Sequence, residues 1–264
     1  MDSQSKIISW PQDTSYQAFK LAWPLKDEEI WETMFTMHQD KMQIKNLNVA
    51  VSKLENIINS TFQLSAEKGF QAMSLRDLSK KTGLSMGGLY SYIGSKNDLA
   101  SIIESVLRHY IQLVLGDLGQ QELGTKQYLR ALVHAELYLN DRLQRWFYFS
   151  FMEAKGLPIE QQQELMGLEL LVEEMFARAI RKGVDEGVFV CDVPDIVAVN
   201  FIAVIQQWYL KRWKFKRMQM GVEEFAKTFC DSLIDWLCVV SDSEPDPQIP
   251  SKSGALSGSN FTLN

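Results

Sequence analysis

Residues 74–98, SLRDLSKKTGLSMGGLYSYIGSKND, predict two short helices joined by a tight turn. Ser74 is a good N-cap residue, and Asp77 three positions later can complete a capping box. Gly83 can end the first helix, because glycine adopts the left-handed C′ conformation without a steric clash. Ser85 can then cap the second helix. A helix, a glycine turn and a second helix of this size match the helix–turn–helix pattern, in which the second helix enters a DNA groove.

Here the chain resembles the DNA-binding domain of the tetracycline-repressor (TetR) family, in GFQAMSLRDLSKKTGLSMGGLYSYIGSKNDL and in IINSTFQLSAEKGF before it. The motifs are a Gly-Phe pair after the first helix, a capped second helix, and Leu-Tyr-x-Tyr followed closely by Ser-Lys. They lie within roughly residues 47–100. The resemblance implies an all-α protein, with an N-terminal three-helix helix–turn–helix domain and a C-terminal helical ligand-binding and dimerisation domain. It also implies a transcriptional regulator, most often a repressor.

The resemblance further implies which residues meet DNA. Residues expected at base edges are Ser85, Met86, Gly87, Gly88 and Ser91. Residues expected at phosphates are Ser74, Tyr90, Tyr92 and Lys96, with Arg76 as a groove or phosphate contact. For the two tyrosines, packing beneath the helix is the alternative. For the two glycines, the alternative is a helix that is weak when free, since glycine costs about 1 kcal/mol relative to alanine.

Composition is that of a soluble globular protein, with 46% apolar and 23% charged residues among 264. The net charge is −6, but residues 51–97 carry six basic against three acidic side chains, or +3, which leaves −9 elsewhere. A local basic face is enough for phosphate binding. There is no apolar signal segment and no run of about 18 apolar residues, so we expect no membrane partner. Three cysteines without CxxC spacing favour free thiols and a cytoplasmic location.

Enzyme motifs are absent from the sequence. Three histidines lack metal-ligand spacing, no GxSxG occurs, and Gly94-Ser-Lys96 does not have the residue order of a phosphate-binding loop. We therefore expect no catalytic residue, no metal and no cofactor.

Residues 1–46 form an extension outside the family pattern. Asp27 can cap an amphipathic helix whose apolar positions are Ile30, Trp31, Met34 and Phe35. This arm either packs on its own protein, binds a partner, or strengthens a dimer. A further alternative is that translation begins near Met34, Met37 or Met42.

Four segments follow from these patterns: the extension 1–46, a DNA-binding domain 47–97, a helical ligand-binding and dimerisation domain 98–240, and a tail 241–264. The tail is rich in Ser, Pro and Gly, which is typical of disorder.

Trp146–Met152 is aromatic on every face of a predicted helix, which indicates core packing or the wall of an apolar pocket. The predicted pocket residues are Trp146, Phe149, Met152, Met175, Phe176, Phe201, Trp208 and Tyr209. A basic cluster follows, made of Lys211, Arg212, Lys214, Lys216 and Arg217. It is either a solvated loop or a phosphate clamp for an acyl-coenzyme A, a ligand that some TetR relatives sense.

The last helix carries an apolar seam that predicts a homodimer interface, with Phe225, Phe229, Leu233 and Trp236 at its centre. By family resemblance, two C-terminal helices from each subunit form a four-helix bundle. A two-fold dimer presents two recognition helices, so the operator should be near-palindromic. We therefore expect a repressor that an apolar effector such as an acyl-coenzyme A releases from DNA. The alternative is a helical adaptor that binds protein partners through its N-terminal arm.

Overall fold

The computed structural model describes residues 9–238, and within that range the chain is helical, with no strand. The helices are α1 (Tyr16–Ala22), α2 (Asp27–His38), α3 (Leu47–Lys68), α4 (Leu75–Thr82), α5 (Met86–Tyr90), α6 (Lys96–Leu118), α7 (Thr125–Arg142), α8 (Gln144–Glu153), α9 (Ile159–Asp185), α10 (Pro194–Leu210), α11 (Arg212–Met218) and α12 (Val222–Cys238). A 3-10 turn, Ala154–Gly156, follows α8. The predicted all-α class is confirmed, and the predicted tail 241–264 lies outside the described residues.

Helices α3, α4 and α5 form a three-helix unit whose local signals act as the sequence predicts. Ser74 Oγ accepts a 3.1 Å hydrogen bond from the Asp77 backbone N–H, and the Asp77 carboxylate accepts one of 2.9 Å from the Ser74 N–H. Gly83 ends α4 with φ 72°, in the left-handed region that favours glycine. Ser85 Oγ caps α5 by accepting from the Gly88 N–H at 3.1 Å. The predicted capping box, turn and second cap are therefore confirmed.

Helix α7 is the centre of the C-terminal part. It is buried along most of its length and packs against α6, α9, α10 and α12. A helix surrounded on all sides has few positions for polar side chains, yet His134, Glu136 and Asn140 are all buried in it. These residues form a cluster of enclosed polar groups on α7.

The N-terminal arm (residues 9–46 of the described chain) packs on its own protein. Helix α2 lies against α3 and α6, and α1 lies against α7. The four predicted apolar positions of α2 are all buried: Ile30, Trp31, Met34 and Phe35. At its end, the Gln43 N–H donates a 2.9 Å hydrogen bond to the Ser91 carbonyl, just after α5. The arm therefore contacts both the three-helix unit and the C-terminal part, so it packs on its own protein, the first of the alternatives considered above.

Candidate DNA-binding surface and ligand cavity

Helix α5 presents one side to solvent. Ser85 and Gly87 are exposed, the Tyr90 side chain is 46% exposed, and Met86 and Gly88 are half-buried. The free N–H groups at a helix N-terminus attract anionic oxygens, so this end of α5 suits a phosphate or base acceptor.

Gly87 has no packing reason to be glycine. A Cβ at Gly87 would meet no atom within 4 Å, whereas a Cβ at Gly88 would approach Ser85 Oγ to 3.3 Å. Close approach of another molecule therefore remains a physical reason for glycine at position 87, beside the alternative of a helix that is weak when free.

Two lysines of this unit are paired with carboxylates. Lys68 Nζ lies 2.8 Å from Asp77, and Lys81 Nζ lies 2.8 Å from Glu67. The Lys68 ammonium, with the Ser74 cap, holds the pKa of Asp77 far below its ordinary value. Arg76 and Lys80 are exposed, and neither has a carboxylate within 4.0 Å among the described residues.

Lys96 has a different place from the one expected. Its ammonium donates to the carbonyls of Phe70 at 3.1 Å, Gln71 at 2.9 Å and Met73 at 3.3 Å. Since an ammonium has three N–H donors, these bonds use all of them. A phosphate contact would have to break them, so Lys96 instead holds the loop between α3 and α4.

The remaining predicted contacts divide between surface and core. Ser74 and Arg76 are exposed. Ser91 is half-buried, and its hydroxyl donates to the Gly87 carbonyl at 3.1 Å. Tyr92 is 5% exposed and belongs to the core, and burial raises its pKa. Packing beneath the helix, the alternative considered for the tyrosines, is therefore what the structure shows for Tyr92.

A cavity of about 620 Å³ opens between α6, α7, α8, α9 and α10. Most of its wall is apolar, as in typical small-molecule sites. The lining residues are Leu107, Ile111, Glu136, Asn140, Phe147, Ser150, Phe151, Met152, Ala154, Lys155, Gln162, Leu165, Met166, Leu168, Glu169, Val172, Ile202, Ile205, Gln206 and Tyr209.

Helix α8 has one side in the cavity wall and the other side packed on the three-helix unit. Phe147, Ser150 and Phe151 line the cavity. On the opposite side, the Trp146 ring lies 5.4 Å from Phe62, and Phe149 lies 5.1 Å from Phe70. Those contacts join α8 to the three-helix unit, so Trp146 and Phe149 do not line this cavity, contrary to the prediction.

Of the eight predicted pocket residues, only Met152 and Tyr209 line the cavity. Phe176 and Phe201 pack on each other at 6.3 Å within the core, and Met175 is half-buried beside it. Trp208 is fully buried, and its ring stacks on Phe225 at 5.5 Å. The sequence could not show which of these residues line the cavity, because a helix that is apolar all round gives no sign of which side faces a cavity.

The sequence interpretation missed the polar residues of the cavity. Glu136 and Asn140 lie four positions apart on α7, and Ser150 lies on α8. The available signal was a glutamate and an asparagine inside an otherwise apolar stretch, LVHAELYLN.

The predicted dimer residues on α12 face two ways. Leu233 is buried in the subunit's own core, on the same side as Val222, Ala226, Cys230 and Leu237, so it is not a surface residue. Trp236 is 56% exposed. Phe225 and Phe229 are half-buried and stack on each other at 6.0 Å.

The basic cluster is a short helix, α11, and not a loop. Arg212 pairs with Asp141 at 2.7 Å, and its guanidinium lies 4.0 Å from the Trp208 ring centre. None of the five cluster residues lines the cavity.

Metal sites, disulfides and membrane-spanning helices are absent from residues 9–238. That part of the chain contains no group of three or more residues placed to hold a metal ion. Cys191, Cys230 and Cys238 form no disulfide there. Nor does any helix in this range have the length and apolar character needed to cross a membrane.

Comparison with known proteins agrees with this architecture. Residues 57–101 match the family of bacterial regulatory proteins described as the tetR family. The transcriptional repressor KstR2 of Rhodococcus jostii (strain RHA1) is 25% identical over 178 residues, which are 66% of this chain and 85% of that protein.

Solved structures share the fold. The ketosteroid transcriptional regulator KstR2 of Mycobacterium tuberculosis superposes with a TM-score of 0.64 at 15% identity, over 75% of this chain and 99% of its own. A tetR-family regulatory protein from Rhodococcus RHA1 gives 0.63 at 16% identity, over 71% and 98%. Residues 57–101 therefore match a tetR-family helix–turn–helix region, and the described chain shares the fold of solved regulators of that family, which supports a DNA-binding transcriptional regulator.

Proposed function

We propose that this protein is a homodimeric repressor that an apolar small molecule releases from a near-palindromic operator. The observation that carries the proposal is the serine-capped helix α5, whose exposed side includes Gly87 in open space. Ser74, Arg76, Ser85 and Tyr90 are the exposed side chains that we assign to DNA.

A dimer surface is supported by the outer side of α10. Its outward positions repeat at helical spacing and are mostly small or apolar: Ile196, Val199, Asn200, Ala203 and Val204 are exposed, and Gln207 is half-buried. On α12, Phe225, Thr228, Phe229, Ser232 and Trp236 form a comparable stripe. An apolar stripe of this size on each helix suits pairing with the same two helices of a second subunit. In this version of the interface, Leu233 is left out, and Phe225, Phe229 and Trp236 remain.

Helix α8 supplies a route from the cavity to DNA. Its cavity side carries Phe147 and Phe151, and its other side carries Trp146 and Phe149 against α3. Helix α6 also reaches both regions, through Leu107 in the cavity wall and Lys96 at the α3–α4 loop. A ligand that binds better to one arrangement of α6 and α8 would shift the spacing of the two α5 helices. The expected coupling is about 1–3 kcal/mol.

The mainly apolar wall of the cavity suits an apolar effector. The names of two similar proteins are consistent with this, since one is called a transcriptional repressor and the other a ketosteroid transcriptional regulator. An acyl-coenzyme A remains a candidate, since the cavity has room for an acyl chain. Its phosphates would need cations near the opening, and Lys155 is the only basic residue that lines the described cavity. The α11 cluster would have to act from outside it, and Arg212 is already paired with Asp141.

The adaptor alternative loses its main support. That alternative binds partners through the N-terminal arm, but the predicted apolar positions of α2 in the arm are buried against the protein itself: Ile30, Trp31, Met34 and Phe35.

The test is selection of bound fragments from genomic DNA, followed by a screen of apolar compounds for release of the selected fragment. Enrichment of a near-palindromic sequence and its release by at least one compound are expected. Failure to enrich any sequence at low salt would contradict the proposal.

A further inference from the structure

The inner wall of the cavity contains three buried polar side chains. Glu136 and Ser150 are each 6% exposed, and Asn140 is 1% exposed. All three line the cavity, in a wall that is otherwise mainly apolar. Side chains of this kind are rarely enclosed without partners, because losing water costs free energy that a hydrogen bond must offset.

Each of the three has an oxygen that accepts no hydrogen bond from the described residues: Glu136 Oε2, Asn140 Oδ1 and Ser150 Oγ. The amide N–H donors of Asn140 are already used, since Nδ2 donates to the Glu136 carbonyl at 2.7 Å and to Glu136 Oε1 at 3.0 Å. The cluster therefore offers three unpaired oxygens to the cavity, of which the Ser150 hydroxyl can donate as well as accept.

No cation compensates Glu136. Among residues 9–238, no lysine or arginine forms an ion pair with it, and burial raises the pKa of its carboxyl group to about 7. The other acidic residue of the wall, Glu169, is exposed and accepts from Gln206 Nε2 at 2.6 Å. A ligand that brings a donor to Glu136 would thus satisfy a group that the empty protein leaves unpaired.

We propose that the cavity binds an apolar molecule carrying an alcohol or a protonated amine, and that this group donates a hydrogen bond to Glu136 Oε2. Asn140 Oδ1 and Ser150 Oγ are the further acceptors for a group with more than one donor, such as an ammonium. The proposal deepens the proposed function, on which it rests only in taking this cavity as the effector site. It disfavours a ligand that places a carboxylate, or a thioester without a donor, at the inner wall.

The experiment is a calorimetric titration of the full chain with four probes that share one apolar body. Decylamine and decan-1-ol carry donors, methyl decanoate carries none, and decanoate is an anion. We expect the two donor probes to bind at least about tenfold more tightly than methyl decanoate, because a hydrogen bond to a buried charged group contributes that much or more. Decanoate should bind more weakly than either donor probe.

The variant Glu136→Gln keeps the shape and the Asn140 contact but removes the charge. It should weaken decylamine binding at least about tenfold and leave methyl decanoate unchanged. Glu104→Gln is the matched control, since Glu104 is also a buried glutamate with unpaired oxygens but does not line the cavity. It should keep the wild-type preference. Thermal unfolding of each variant shows that it is folded.

Equal binding of the four probes, no binding of any, or a preference that survives Glu136→Gln would each overturn the proposal. Binding of decanoyl-coenzyme A with none of the donor probes would overturn it as well. DNA release is measured separately. If the preference holds while no probe changes DNA binding, the ligand chemistry stands and the proposed release mechanism fails.

Discussion

The Tyr16 hydroxyl donates a 2.7 Å hydrogen bond to Asp141 Oδ2, which ties the N-terminal arm to the end of the central helix α7. The other carboxylate oxygen accepts from Trp208 Nε1 at 3.0 Å and pairs with Arg212 at 2.7 Å. Burial, reinforced by the bond to Asp141, raises the pKa of Tyr16. One carboxylate, 15% exposed, therefore connects the arm, α7, α10 and α11.

Replacing Asp141 with alanine should lower the free energy of unfolding by about 3 kcal/mol, because it leaves buried donors without an acceptor. The control is Asp195→Ala, which removes an ion pair to Arg181 at a side chain that is 71% exposed. That change should cost less than about 1 kcal/mol. Denaturant unfolding measures both, and equal losses would contradict the assignment of Asp141 as a buried connection.

The arm should be needed for stability. The Trp31 side chain is buried, and its ring lies 5.6 Å from Trp146. Trp31→Ala should cost about 3–5 kcal/mol, as large aromatic deletions in cores do. Met37→Ala, on the same helix but 40% exposed, should cost less than about 0.5 kcal/mol. A chain that starts at Met42 and still keeps its melting temperature and DNA affinity would show that the arm is dispensable.

Gly87→Ala separates folding from DNA binding. Alanine at this position meets no atom of the free protein and favours helix, so stability should stay the same or rise by up to about 1 kcal/mol. If DNA approaches the backbone here, affinity for the selected fragment should fall at least about tenfold, or about 1.4 kcal/mol. Gly116→Ala is the matched control, since it lies on α6 and also has open space. Equal DNA affinity in the two variants would remove Gly87 from the contact surface.

Stability should depend on pH through Glu136. Burial raises its pKa from 4.5 to about 7, so between these values the folded state holds more protons than the unfolded state. The free energy of unfolding therefore falls as the pH rises through this window. Glu136→Gln removes this pH dependence. Its free energy of unfolding, relative to that of the wild type, should therefore rise by about 3 kcal/mol as the pH goes from 4 to 8.

Unfolding of the two proteins across this pH range tests that expectation. Burial also raises the pKa of Glu104 to about 7. Glu104 therefore contributes the same pH dependence to both proteins, and its contribution cancels in the difference between them. Glu122→Gln, at an exposed loop residue, should follow the wild type. A constant difference between wild type and Glu136→Gln would contradict an uncompensated carboxyl group in the cavity.

The DNA-binding unit was predictable because its signals are local. Ser74, Gly83 and Ser85 act on backbone groups within a few residues, so their effect is visible in the sequence itself. Lys96 was misplaced for the opposite reason. Its three acceptors lie on a loop more than twenty residues earlier, and only the folded chain brings them to the ammonium.

The cavity was less predictable, because α8 is apolar on every side. Its sequence could not tell that Trp146 faces the DNA-binding unit while Phe147 faces the cavity. The surface on which the arm packs was unpredictable for the same reason. The spacing of Ile30 and Trp31 predicts an apolar face but not the surface that covers it.

The central claim is that two copies of helix α5, held by subunit pairing, read duplex DNA. Its most direct test is fluorescence anisotropy of the selected duplex at several salt concentrations, with the chain-to-duplex ratio measured at saturation. The account predicts two chains per near-palindromic site and an affinity that falls with salt. In Arg76→Ala, the salt slope should drop by about 2, one phosphate contact per subunit. A single chain per site, or binding that ignores both salt and sequence, would contradict it.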